Sequence, residues 1–434
     1  MLSSRLPKDL SPSPFFAELE RAKAESAPFI DMTVSSPVKA GLPVEMDAAV
    51  ESARSGFSCW NPDAAGWKSA REAVVEYYRE RGGNFTAGQI ILTASTSEAY
   101  SVLFKTFCDP GDVILTPMPG YPLLDTLAQL EHLECSPYFL KLRRENARKL
   151  ATDERREGAA FRFVLDSDSL LAAPEKAKIL LLVSPHNPTG HCVSREEWNV
   201  AVRFCEENDM ILVVDEVFGD YGFSNKVSRT WQYVFGACHP GSIRQAQDEL
   251  HEVESKDLWD AGGNDLINLP ENGPKCPIFW LNGLSKAVGS PQLKLGWMAF
   301  YAPREKFEEN RAALEFVEDA YLSVSAPAQA LGMSLLPKAA TYEAQVKERL
   351  LANWLTLREA FPAKYCPEVL GGWYAVVRLG EDDEELTLRL LKEKHVLVQP
   401  GFFFDFDEDG WVVISLLQEP AAFKEAVLRM KELQ

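Results

Sequence analysis

The chain has 434 residues, 46% of them hydrophobic, too long for one ordinary domain and with enough apolar material for two buried cores. Asp plus Glu outnumber Lys plus Arg by 64 to 45, and the resulting formal charge of −19 disfavours nucleic acid or an anionic membrane surface as a partner. Residues 1–16 hold no apolar run fit for a signal peptide, and no later segment reaches the length of a membrane span, so a soluble, cytoplasmic protein is expected.

Short apolar runs alternate with amphipathic stretches over most of the chain, the rhythm of an α/β fold. In order, residues 90–92, 113–115, 179–183, 210–214 and 278–281 are continuous apolar runs, as strands buried on both faces of a mostly parallel sheet require. A helix is expected over residues 98–107. Residues 224–275 break the rhythm with charge, Gly and Asn and a helical pattern near 242–258, and are expected to be an excursion between two sheet strands. Beyond about Phe307 the pattern changes to a long amphipathic helix over 342–359, then Gly371-Gly372 with an alternating strand after it, then short strands near 396–398 and 411–414. The eight cysteines show no CxxC or Cys/His ligand spacing, which argues against a disulfide framework or a zinc site.

In a doubly wound sheet the ligand site gathers beyond the carboxyl ends of the strands, so the polar residues that follow each run are the candidates. Asn187 lies in Ser184-Pro185-His186-Asn187-Pro188-Thr189-Gly190, which taken alone is only a turn. Asp215 ends an apolar run, where an acid is costly unless solvated, capped or paired with a cation. Lys286 follows Leu281-Asn282-Gly283-Leu284-Ser285; desolvation there would lower its amine pKa and make it a nucleophile toward aldehydes, although a lone lysine in such a place is more often a surface charge.

Taken in order and spacing, these stretches, with residues 93–99 and Pro119-Gly120-Tyr121-Pro122, resemble the class I/II aminotransferases. These belong to the aspartate aminotransferase superfamily of fold-type I enzymes that use pyridoxal 5'-phosphate (PLP). The resemblance runs over residues 30–423. It implies a large PLP-binding domain at 45–310, with a mostly parallel seven-stranded sheet between helices, and a smaller α+β domain from 10–44 and 311–434. On the same ground, Lys286 would hold PLP as a Schiff base and shuttle the proton, and Asp215 would pair with the pyridine nitrogen. Asn187 would donate to the phenolic oxygen and Tyr121 would stack on the ring. Ser95, Thr96 and Ser97 would cradle the phosphate at a helix N-terminus. The implied partners are an amino donor, a 2-oxo acid acceptor and a second copy of the chain.

Five positions depart from the family pattern. Phe218 stands where a tyrosine is usual, Gly283 where a serine often reaches the phosphate, and Lys294 where an arginine would assist it. Trp60 takes the place of a tyrosine lent by the neighbouring subunit, and Val413 that of the arginine that clamps the substrate carboxylate. With Val413 there, an amino-acid donor with an unusual anchor is expected; Lys294, Arg378 and Asn187 are the candidates. A PLP-dependent lyase or decarboxylase on the same scaffold is the alternative. A non-catalytic regulator is disfavoured by the presence of both Lys286 and Asp215.

Overall fold

Alternate side chains of each inner strand enter opposite hydrophobic layers, and this is why continuous apolar runs were needed. Ile90, Leu92, Leu180, Leu182, Leu212, Val214, Ile278 and Trp280 pack in one cluster. Their neighbours Ile91, Ile179, Leu181, Val213, Phe279 and Leu281 pack in the other. The computed structural model describes residues 3–7, 10–11, 14–25, 28–146, 159–174, 176–224, 227–235, 270, 273–322, 324–380 and 382–433. The helix expected near 242–258 lies outside them.

The strands, in chain order, are β1 (Ile30–Asp31), β2 (Ile90–Thr93), β3 (Val113–Met118), β4 (Glu134–Asn146), β5 (Ala159–Leu165), β6 (Ala177–Val183), β7 (Ile211–Asp215), β8 (Ile278–Gly283), β9 (Gly296–Tyr301), β10 (Tyr374–Arg378), β11 (Val396–Leu397), β12 (Gln399–Pro400) and β13 (Trp411–Ser415). The central sheet has the order β2-β9-β8-β7-β6-β3-β4-β5. It therefore has eight strands and not the expected seven. The ribbon of β4 and β5 is antiparallel and carries exposed Lys141, Arg143 and Leu142, so its inner half shows no continuous apolar run. β9 is also antiparallel, wedged between β2 and β8, whereas β8, β7, β6, β3 and β4 run parallel to their neighbours in that series.

Residues 227–235 do not belong to the expected excursion. Thr230 and Trp231 are fully buried, and the Thr230 hydroxyl accepts from Trp280 Nε1 at 2.8 Å while its backbone N–H and hydroxyl both donate to Glu216. Polar letters around a buried Trp hid a core segment.

A second antiparallel sheet, order β10-β13-β12, follows the helix Ala339–Ala360, and β1 pairs parallel with β11. The helix Arg304–Tyr321 runs through residue 310 and sends Phe307 and Leu314 into the central-sheet core. Glu318 on this helix is 2% exposed, and its Oε1 has no hydrogen-bond partner. Burial and the nearby Glu98 carboxylate push it up to about 8. A carboxyl with a raised folded pKa stabilises the fold below its unfolded pKa, near 4.5, and that stability is lost as pH rises through about 8. Glu318→Gln should therefore become more stable than the parent at pH 9, by on the order of 2 kcal/mol, and not at pH 5. Urea denaturation at the two pH values checks this, and equal curves at pH 9 would refute it.

Candidate active site

All nine residues singled out from the sequence, Ser95, Thr96, Ser97, Tyr121, Asn187, Asp215, Phe218, Lys286 and Lys294, line one cavity of about 500 Å³. They come from the carboxyl ends of β2, β3, β6, β7 and β8 and the turns that follow, where a mostly parallel sheet presents its ligand site.

Ser95 caps the helix Thr96–Phe107, its Oγ accepting the Glu98 N–H at 3.2 Å, and Glu98 accepts in return from the Ala94 N–H. A hydroxyl that accepts once can still donate, so Ser95 and the first backbone N–H groups face the cavity as an anion-binding end. Two glycines keep this end open. Gly283 and Gly296 are directly paired between β8 and β9. A Cβ on Gly283 would lie 3.0 Å from Gly296 Cα, and one on Gly296 would lie 3.0 Å from Ser95 C and 3.1 Å from Thr96 N. The close approach of three backbones accounts for Gly283 where a serine was expected. Lys294 adopts a left-handed backbone, φ 52°, at the cavity edge and is exposed.

Asp215 is buried at the end of β7. Tyr100 Oη donates to its Oδ2 at 2.8 Å, and the Val217 N–H donates to Oδ1 at 3.0 Å. Burial raises its pKa, while these two donors and the Lys286 charge pull it back. Asn187 has a buried Oδ1 with no partner among the described residues. Tyr121, 39% exposed, offers its ring to the open side of the cavity.

Lys286 sits in the short helix Leu284–Ala287. Its Nζ is 4.7 Å from the centroid of the Trp373 ring and 5.5 Å from that of Phe218. Burial brings the amine down to about 8 against the opposing pull of Asp215. A sizeable fraction is thus neutral and nucleophilic near physiological pH. Labelling of the cofactor-free protein by an amine-reactive reagent, read at Lys286 by peptide mass spectrometry, should show a midpoint near pH 8. In Asp215→Asn it should fall further, because the stabilising anion is gone. A midpoint near that of an ordinary lysine would refute the desolvated site.

Sequence reasoning missed the platform behind Lys286. Tyr221 Oη donates to the Lys286 carbonyl at 2.7 Å. The adjacent Asp220 accepts from Tyr77 at 2.7 Å, from Arg81 at 3.0 Å and from Arg229, and Asn282 Nδ2 donates to Tyr77 at 3.2 Å. This buried network ties the turn after β7 to the end of β8, fixing Asp215 and Lys286 relative to each other. The flanking cations hold the Asp220 carboxyl far below the usual carboxylate range.

Three residues lie away from the cavity wall. Trp60 is 79% exposed. Arg378 is not an anchor: it pairs with Glu408 and stacks near Trp411. Val413 is fully buried in β13, opposite Val376 and Gln399, and does not reach the wall.

The family model "Aminotransferase class I and II" matches residues 42–429. The chain is similar to the glutamate-pyruvate aminotransferase AlaA of Haemophilus influenzae, 23% identical with 96% of this chain and 93% of that protein covered. It is also similar to the alanine aminotransferase of Mycobacterium tuberculosis, 25% identical over 79% of this chain and 71% of that one. Among solved structures, alanine aminotransferase from Pyrococcus furiosus superposes with a TM-score of 0.75 at 21% identity, covering 100% of this chain and 99% of that chain.

Proposed function

This chain belongs to the class I and II aminotransferases and is itself an aminotransferase, and from that premise we propose that it uses PLP, held at Lys286, to pass an amino group from an amino-acid-like donor to a 2-oxo acid. The observation that carries the reading is the convergence of nine chemically matched side chains on one cavity around a lysine of lowered pKa. The cavity fits the cofactor on three counts. The Asn187 oxygen has no partner within the described chain, Asp215 is a buried anion with one side open to the cavity, and the Gly283–Gly296 pair leaves a helix N-terminus bare for a phosphate.

When bound, PLP supplies the electron sink that lets the substrate Cα–H bond ionise. The chain's own residues do the rest. Asp215, held by Tyr100 and Val217, keeps a negative charge where a pyridine nitrogen needs one. The N-terminus of the helix Thr96–Phe107, with Ser95 and Ser97, takes the phosphate. Lys286 Nζ, once displaced by the donor's amine, accepts and returns the Cα proton, for which a pKa near 8 is well matched. Phe218 contributes packing and no hydroxyl, set between Trp373 at 5.4 Å and Tyr374 at 6.0 Å.

The test is a half-reaction. Given donor alone, the PLP-loaded protein should release one oxo acid per site and then stop until an oxo acid acceptor is added. Continuous product release without acceptor would favour the lyase or decarboxylase reading.

We also propose that the protein works as a homodimer. Phe57, Trp60, Phe316 and Leu322 are 62%, 79%, 79% and 66% exposed, an apolar display that a lone subunit rarely leaves in water. Light scattering that gave a fully active monomer at assay concentration would overturn this.

A further inference from the structure

Lys286 and Lys294 are the only Lys or Arg side chains among the described residues on the cavity wall, and the proposed chemistry assigns both to the cofactor. A substrate carboxylate entering the cavity therefore meets no free cation of this kind from the described chain.

The register of the second sheet indicates what it meets instead. Gln399 of β12 pairs directly with Val413 of β13, and Val413 pairs with Val376 of β10, so the three share one face of that sheet. Tyr374, two residues from Val376, lies on the same face. Of these four, Val413 and Val376 are covered, while Gln399 and Tyr374 reach the cavity wall. Gln399 is half-buried there, and its amide forms no side-chain hydrogen bond among the described residues. Ser35 joins the same wall, with its hydroxyl against the Tyr374 phenol. Gln399 thus stands directly across the strand pair from the valine that occupies the position of the missing fork.

We propose that Gln399 is the substrate-carboxylate anchor of this enzyme, its neutral amide donating an N–H to the α-carboxylate with Ser35 beside it. This rests on the aminotransferase site proposed above. It commits the donor to an α-amino acid and not an amine without a carboxylate. A neutral amide offers a directed hydrogen bond without the full charge of a guanidinium, so the carboxylate is recognised by geometry and only modestly by field.

The experiment compares a matched pair of probes, 2-aminoisobutyrate and isopropylamine, which differ by the carboxylate. 2-Aminoisobutyrate has no Cα hydrogen to lose. Dissociation constants for the PLP-loaded protein are read from cofactor absorbance and by calorimetry. Wild type should prefer 2-aminoisobutyrate. Gln399→Leu should weaken it by about ten- to a hundredfold and leave isopropylamine within about twofold. Gln399→Glu, which keeps the shape but adds a like charge, should weaken it further. Unchanged cofactor absorbance and circular dichroism in both variants exclude misfolding. Equal binding of the two probes by wild type, an unaltered constant for 2-aminoisobutyrate in Gln399→Leu, or equal loss of both probes overturns the anchor. Failure of wild type to release an oxo acid from any amino acid would overturn the aminotransferase reading and leave these binding constants to judge the anchor separately.

Discussion

Replacing Lys286 by alanine is expected to lower turnover by at least about 10⁴-fold while PLP still binds without a covalent bond. The size follows from what is removed. Lys286 Nζ is the only amine on the described cavity wall besides Lys294, and Lys294 is exposed at the edge beside the phosphate end. No other lysine there can take over proton transfer at the substrate carbon. Retained binding follows from the independence of the other contacts. The helix N-terminus at Ser95, the carboxylate of Asp215 and the ring of Tyr121 are each held by their own elements and do not depend on the lysine side chain. The platform through Tyr221 grips the Lys286 backbone carbonyl, so the alanine variant keeps its local fold. Equilibrium dialysis of PLP and the half-reaction rate are the two measurements. Turnover within a hundredfold of wild type would show that another residue moves the proton.

The cofactor end of this site was legible in the sequence because each of its residues directly follows an apolar run. Asn187, Asp215 and Lys286 come at or just after the ends of β6, β7 and β8, so strand recognition alone placed them at one edge of the sheet. The supports were not legible. Tyr100 is an aromatic inside an ordinary amphipathic helix, indistinguishable from a core residue until the fold brings its hydroxyl to Asp215, 115 positions away. Asp220, Tyr77, Arg81 and Arg229 are scattered charged and aromatic letters, and Arg229 stood in a stretch whose polarity suggested surface. The substrate end was legible only as an absence. Val413 announced that a fork was missing, yet nothing in the sequence near Gln399 pointed to it. Its relevance comes from pairing across β12 and β13, a register that becomes readable only once both strands are placed.

Asp215→Asn is the substitution that separates charge from shape at the cofactor end. Asparagine has nearly the same volume, and its amide oxygen can still accept from the Tyr100 hydroxyl or the Val217 N–H, so the strand end and turn should be undisturbed. What disappears is the anion facing the ring nitrogen. Leaving one partner of a buried, hydrogen-bonded charge pair uncompensated costs about 2–5 kcal/mol, roughly thirty- to several-thousandfold in rate where the charge is felt in the transition state. The half-reaction should therefore slow by about 10²–10³-fold, with a smaller loss in PLP affinity because the phosphate contacts remain. Tyr100→Phe provides the graded control. It removes one donor and keeps the carboxylate, so Asp215 becomes easier to protonate and the rate should drop by only about tenfold, with the loss concentrated at low pH, where the less stabilised carboxylate is neutralised first. The order Asp215→Asn below Tyr100→Phe below wild type is the decisive result. An asparagine variant with the wild-type half-reaction rate would mean that the buried carboxylate does not face the cofactor, and that its contacts with Tyr100 and Val217 serve only to close the end of β7.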